Sequence, residues 1–268
     1  MTDNCIRVAA VLALMQLLAA CGTLPNDKSW GQDVTLTPTS QRLANAALNA
    51  VKNPATWIPL TGAALFSAGN LDHKYTNALA ENNYLFGSQK NANHASDMLR
   101  SSLVSSMFVT ALMTPSGTTN NEIALNKSKG LITEYTALYI TSSTTSVIKR
   151  ATNRERPNGY DYSSFPSGHT SRAFAAAALT SKNLESLDVS PVTAVGIRVG
   201  LYSVACGTAW ARVEADKHYI TDVMAGAALG NFLSRFIHDA FMGLDNDNRQ
   251  VDIDIAPHRS QMQLTWRF

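Results

Sequence analysis

Three short blocks in the second half of the chain set two histidines, one aspartate and three cations at spacings suited to phosphoryl chemistry. The first is Lys149 with Arg156-Pro157. The second is Pro166-Ser167-Gly168-His169. The third is Arg212, His218 and Asp222. A phosphate ester is a compact dianion, stabilised by several fixed cations and by backbone N–H groups. Two histidines divide such a reaction between them, one as nucleophile and one as acid. Asp222 lies four residues after His218, so on a helix the two side chains share a face and the carboxylate can orient the imidazole.

At these residues the chain resembles the type 2 phosphatidic acid phosphatases, and with them the class A bacterial acid phosphatases and vanadium haloperoxidases. The pattern of that family is Lys, six residues, Arg-Pro; then Pro-Ser-Gly-His; then Ser-Arg, five residues, His, three residues, Asp. Here RATNRE separates Lys149 from Arg156-Pro157, VEADK separates Arg212 from His218, and YIT separates His218 from Asp222. Ten positions match in order, at roughly one in twenty each on average composition, which excludes coincidence. One position departs: Ala211 stands where the family has Ser, so a hydroxyl beside a phosphate-binding Arg is lost. Residues 86–91 (FGSQKN) and their surroundings resemble a bacterial lipoprotein branch of the family.

The resemblance implies a role for each residue. His218 attacks phosphorus and forms a phosphohistidine. Asp222 holds His218 in its reactive tautomer. His169 protonates the leaving alcohol and then activates water. Lys149, Arg156 and Arg212 hold the phosphoryl oxygens, with Ser167 and the Gly168 N–H as further donors. The cations supply the charge stabilisation that a metal provides elsewhere, so neither metal nor cofactor is expected. Taken alone, His218 reads as a structural histidine and Arg212 as one partner of a surface ion pair; the joint pattern reverses that. Arg154, Glu155 and Lys217 match no fixed position and read as solvated faces. His73, His94, His238 and His258 have no ligand-like spacing and read as structural or exposed.

The elements that position these blocks read as helices. The pattern predicts helices over 41–52 (capped by Ser40), 59–82, 94–113, 121–152, 168–183, 191–211 and 218–242. The site would then form where helix ends converge in a single all-α bundle. Gly168 opens one of these helices, whose N–H groups and positive end favour an anion. Gly196, Gly200, Gly226 and Gly230 read as positions of close helix contact. Only eight residues, NGYDYSSF, separate Arg156-Pro157 from Pro166, so any lid is small; Tyr160, Tyr162 and Phe165 are candidates to line its mouth.

The two ends of the chain differ from this core. Residues 8–20 form an apolar run of signal-peptide length that ends Leu18-Ala19-Ala20-Cys21-Gly22. This resembles a lipoprotein processing box, with 1–20 as signal peptide, Cys21 as the lipidated residue and 21–39 as a tether. The helical domain is expected over 40–245. In residues 246–268, Val251, Ile253 and Ile255, then Met262, Leu264, Trp266 and Phe268, alternate with polar residues, a period that predicts a short β-hairpin.

Composition bounds the reading. The chain has 268 residues, 45% hydrophobic and 16% charged, with net charge +2, enough for one large core. The charge balance shows no basic stripe and argues against nucleic acid. Once Cys5 is cleaved and Cys21 lipidated, Cys206 stands alone in an apolar segment and is expected to be buried. Segments 101–113, 131–148 and 192–210 are each interrupted by Ser, Thr or charge, which favours core helices over membrane spans. The expectation is a lipid-anchored phosphomonoesterase of the bacterial envelope. It would face the periplasm from the outer membrane and act on a phosphorylated lipid or a small phosphate ester. The alternatives are a broad-specificity periplasmic acid phosphatase, a vanadium-dependent haloperoxidase and a non-enzymatic envelope lipoprotein.

Overall fold

The computed structural model describes residues 24, 28–68 and 71–243, and all regular structure among them is helical. Eight helices follow in order: α1 (Ser40–Lys52), α2 (Pro54–Ser67), α3 (Leu71–Asn82), α4 (Gln89–Met113), α5 (Asn120–Thr152), α6 (Gly168–Leu184), α7 (Pro191–Glu214) and α8 (Ile220–Phe241). The all-α expectation holds. The signal peptide, Cys21 and the C-terminal hairpin of 246–268 lie outside the described residues.

Local chemistry sets the boundaries. α1 is capped by Thr39, one residue before the expected Ser40, and its side chain accepts from the Arg42 N–H. The helix expected over 59–82 is two helices, α2 and α3. α2 begins earlier than expected because Asn53 caps it and Pro54 fills its first position, where a missing N–H costs nothing. α5 begins with a capping box between Thr119 and Glu122, and ends at Asn153, which adopts the left-handed conformation. Its 33 residues span about 50 Å and carry Lys149 in the last turn.

α6 is the axis of the bundle and packs against α4, α5, α7 and α8. Thirteen of its seventeen residues are buried, most of them Ala, Ser or Thr, so neighbouring backbones approach closely. α8 comes nearest. A Cβ on Gly226 would lie 2.6 Å from the Ser167 carbonyl oxygen, and one on Gly230 would lie 2.0 Å from that of Ser171. These two glycines therefore fix the α6–α8 distance, as expected. Gly196 and Gly200 do not: nothing lies within 4 Å of a Cβ at either. They sit on the outer face of α7.

That outer face also corrects one other expectation. Cys206 is exposed, not buried. α7 is long and apolar enough by length and composition to cross a membrane, and only 17% of its apolar stretch is buried. Val192, Val195 and Val199 point outward. Apart from Ala194, its buried residues lie between Ala205 and Glu214, in the C-terminal part of the helix.

Residues 28–39 are irregular, as a tether would be, yet the first of them are docked. Trp30 is fully buried with Ala111 and Met242. Its N–H donates to the Pro115 carbonyl, and that of Thr35 to Phe241. This strap covers the end of the bundle that holds the start of α5.

Candidate active site

The opposite end of the bundle gathers the three sequence blocks. Lys149 comes from the last turn of α5, Arg156 from the connector, Ser167, Gly168 and His169 from the start of α6, Arg212 from the last turn of α7, His218 from the turn before α8, and Asp222 from the first turn of α8. The hydrogen bond from the Ser167 N–H to the Asp222 carbonyl, 2.9 Å, ties the second block to the third. The close backbone approach at Gly226 makes that bond possible.

His218 is 2% exposed. Its Nδ1 lies 2.7 Å from the Ser164 carbonyl oxygen and 3.7 Å from Asp222 Oδ2. The carbonyl can only accept, so Nδ1 carries a proton and Nε2 is left with its lone pair. Asp222, expected to grip the imidazole directly, stands beyond hydrogen-bond distance at 3.7 Å, and the nearer partner of Nδ1 is the Ser164 carbonyl. Asp222 acts one step back, because its Oδ2 accepts from the Ser164 hydroxyl and from the Tyr219 N–H. Burial drives the His218 imidazole down to about 3; Asp222 opposes that shift, and Arg212 and Lys149 add to it. The ring is therefore neutral at neutral pH, as a nucleophile must be. Burial also works to raise the Asp222 carboxyl, but His218, Ser164 and Arg154 outweigh it and hold it below its ordinary value.

The cations converge on the connector. Lys149 Nζ donates to the carbonyls of Ser163 and Ser164. Arg156 binds Asp161 Oδ1 at 2.7 Å, the Ser163 hydroxyl at 3.0 Å and the Lys217 carbonyl at 3.3 Å. The short connector is therefore folded down over two of the expected phosphate ligands, while Tyr160 and Tyr162 point to solvent. Burial and Arg156 lower Lys149 to about 8 and Arg212 to about 10. Arg212 is 4% exposed, and its Nε has no partner among the described residues. A buried, unpaired guanidinium donor among like charges favours an anion.

Helix α6 adds donors. Its N-cap, Ser167, makes no capping hydrogen bond, so the first-turn N–H groups of Gly168 and His169 lack acceptors within the helix. A Cβ on Gly168 would lie 3.8 Å from Thr145 and 3.9 Å from Lys149, ordinary contact distances, so packing alone does not require glycine there. The Ser167 hydroxyl accepts from Thr170 at 3.0 Å and is fully buried. Among the described residues no group of three or more His, Cys, Asp or Glu is placed to hold a metal ion.

Several residues of the site were not singled out in the sequence. Arg154, expected to be solvated, binds Asp222 Oδ1 and Asp72 Oδ2, both at 2.6 Å, and stacks on Tyr219 at 4.1 Å. Asp72 in turn accepts from the N–H and hydroxyl of Thr221. From α4, Asn93 and Ser96 accept from Arg212 Nη1 at 2.7 and 3.2 Å. These two bonds support the arginine whose neighbour, Ala211, carries no hydroxyl. Asp97 Oδ1 lies 2.8 Å from His169 Nε2. The signal available for α4 was a polar stripe, Asn93, Ser96, Asp97 and Arg100, spaced as one helical face.

Comparison with known proteins points to the same part of the chain. The pattern of the PAP2 superfamily matches residues 132–243. A stretch of 82 residues, 31% of the chain, is 40% identical to the lipid A 1-phosphatase of Porphyromonas gingivalis, and spans 17% of that relative's length. No solved structure matches the chain. Residues 132–243, which hold every catalytic and phosphate-binding residue expected from the sequence, are a PAP2 superfamily domain.

Proposed function

We propose that the chain hydrolyses phosphate monoesters through a phosphohistidine on His218, without a metal. The observation that carries this reading is the geometry of His218: buried, with Nδ1 held by the Ser164 carbonyl and Nε2 left free, and with Lys149 and Arg212 near enough to disfavour a charged ring. Nε2 attacks phosphorus, and the three cations with the open N-terminus of α6 take the charge of the equatorial oxygens. His169 protonates the departing oxygen; water then releases phosphate. The P. gingivalis relative is named for a lipid phosphate, which supports a phosphorylated lipid as substrate class. An apolar groove of about 280 Å³ supports the same class. It is lined by Trp57, Leu60, Ile148, Phe165, Pro166 and Phe232, and three of these adjoin site residues in sequence.

The test is turnover of an aryl phosphate with and without EDTA, alongside capture of an acid-labile phosphoenzyme. Wild-type turnover that survives chelation, and its loss in His218→Ala with the fold retained, are expected. Activity lost to EDTA and restored by a divalent ion would overturn the metal-free mechanism.

For the setting, the reading is a lipoprotein of the bacterial envelope, lipidated on Cys21 and facing the periplasm from the outer membrane. Incorporation of a labelled fatty acid that Cys21→Ala abolishes is the expected result. One observation favours a second substrate reading, soluble phosphate esters. The docked strap of residues 28–35 covers the bundle end opposite the site. Lys127 on that end and Lys149 at the site are separated by about 33 Å of helix. The described chain thus begins at the end far from the site. Comparing a dispersed lipid phosphate with a sugar phosphate on the anchored protein separates the two readings.

A further inference from the structure

Helix α4 lies outside the PAP2 domain, yet it forms one wall of the site. Its position is fixed from the third block. Glu214, fully buried at the end of α7, accepts from the N–H groups of Leu85 and Phe86 at 2.9 and 3.0 Å, and from Trp210 Nε1 at 2.6 Å. The loop that leads into α4 is thereby tied to the same helix end that carries Arg212. Asn93 and Ser96 then bind Arg212 itself. One helical turn on, the same face presents Asp97.

We propose that Asp97 is the positioning residue of His169, holding Nε2 so that Nδ1 is the nitrogen that exchanges protons with the substrate. The inference rests on the phosphatase reading above. Asp97 Oδ1 accepts a hydrogen bond from Nε2–H at 2.8 Å, and also accepts from Arg100 at 3.2 Å. Nδ1 has no partner among the described residues. As the P–O bond breaks, its electron pair stays on the leaving oxygen, which takes the Nδ1 proton. His169 is then neutral, with its remaining proton still on Nε2 facing Asp97. In the second half, water attacks phosphorus and gives its proton to Nδ1, while the P–N pair returns to His218. The two histidines are thus held in complementary ways. A carbonyl fixes Nδ1 of His218 and frees Nε2; a carboxylate fixes Nε2 of His169 and frees Nδ1. A carboxylate suits the second case, because His169 must carry positive charge and faces Arg100 of α4 and Arg212 of α7. Burial and Arg212 drive its imidazole down to about 4, and Asp97 opposes them.

The test is a leaving-group series of phosphate monoesters, from 4-nitrophenyl to simple alkyl, on purified full-length wild type, Asp97→Asn, Asp97→Glu and His169→Asn. A departing nitrophenolate needs no proton, whereas an alkoxide does. Asp97→Asn is expected to lower kcat/KM, which ends at P–O cleavage and excludes the water step common to all esters, by about 10²-fold on alkyl esters and by less than about 3-fold on 4-nitrophenyl phosphate. His169→Asn should give the same slope, the double variant no further loss, and Asp97→Glu partial recovery on alkyl esters. An equal loss on both ester types, or no loss on either, overturns the assignment of Asp97 while the phosphatase reading stands. No turnover by the wild type on any ester overturns that reading, and this inference with it.

Discussion

Ser164 holds His218 through its backbone: the carbonyl oxygen lies 2.7 Å from Nδ1, while the nearest carboxylate oxygen of Asp222 is 3.7 Å away. Ser164 is itself gripped by Asp222 through its hydroxyl. The carboxylate therefore shapes the segment that shapes the imidazole. It is fully buried and bound by Arg154 and the Tyr219 N–H, so it is a fixed charge near the ring rather than a direct hinge for it.

That arrangement sets the effect of neutralising Asp222. Where a carboxylate alone holds the tautomer, its amide costs about 10⁴-fold in kcat. Here the Ser164 carbonyl keeps Nδ1 protonated. Asp222→Asn is expected to lose only about 10²-fold, with KM little changed, because electrostatic support of the imidazolium is lost but the tautomer is kept. Steady-state kinetics on an aryl phosphate check this; a 10⁴-fold loss would return the tautomer to Asp222.

Removing Arg154 should unfold the site before it touches the chemistry. Its two 2.6 Å bonds satisfy carboxylates from α3 and α8 that are 5% and 0% exposed. Arg154→Ala leaves both short of a partner, at a cost of roughly 3 kcal/mol, the low end for a broken buried pair since the guanidinium is 29% exposed. Arg154→Lys keeps one charge but cannot span both carboxylates, and should fall between. Urea unfolding of the three proteins orders them.

The sequence made the three blocks legible because each is local: spacing within a few residues puts side chains on one face or one helix end. Most helix limits were legible for the same reason, as caps and prolines mark them. What escaped lies in contacts between distant segments. Arg154 meets Asp72 across 82 positions, and Asp97 meets His169 across 72. Such pairs leave only an ambiguous local trace, a polar residue on a helix. Burial was misread where a helix has a second, unshared face, as with Cys206, Gly196 and Gly200 on α7.

The pH dependence follows from the two histidines. His218 attacks when neutral, above about 3; His169 assists when protonated, below about 4. kcat/KM, which reports the free enzyme, should peak in the acid range and fall as pH rises past the His169 value. Arg212 depresses both rings, and a bound phosphate dianion offsets its charge. The falling limb of kcat should accordingly sit at higher pH than that of kcat/KM, and be absent in His169→Asn. Coincident limbs for kcat and kcat/KM would contradict the role given to Arg212.

Two glycine-to-alanine changes should act with opposite sign. In Gly230→Ala the new Cβ meets the Ser171 carbonyl oxygen at 2.0 Å, and both groups are backbone-fixed. Separating α6 from α8 there should cost about 3 kcal/mol or more, and would also disturb the Ser167–Asp222 tie. Gly196→Ala meets nothing within 4 Å and removes a flexible residue from a helix interior, so it should stabilise by about 0.5–1 kcal/mol. Thermal melts of both variants are the measurement.

The apolar groove offers the sharpest separation of lipid from soluble substrates. Trp57 and Leu60 are 48% and 57% exposed at its edge, so a charge at either is tolerated by the fold. Ile148 precedes Lys149, and Phe165-Pro166 joins Ser164 to Ser167, so the groove is lined by segments that also carry site residues. If an acyl or isoprenoid chain occupies it, Leu60→Asp places a carboxylate against methylenes. The variant should lose about tenfold in kcat/KM, about 1.4 kcal/mol, on a short-chain phosphatidate, with glycerol phosphate unaffected. The contrast between the two substrates matters, since a general loss would report on folding. Equal efficiencies on both substrates in both proteins would leave the groove without a part in recognition, and favour the enzyme as a hydrolase of soluble phosphate esters.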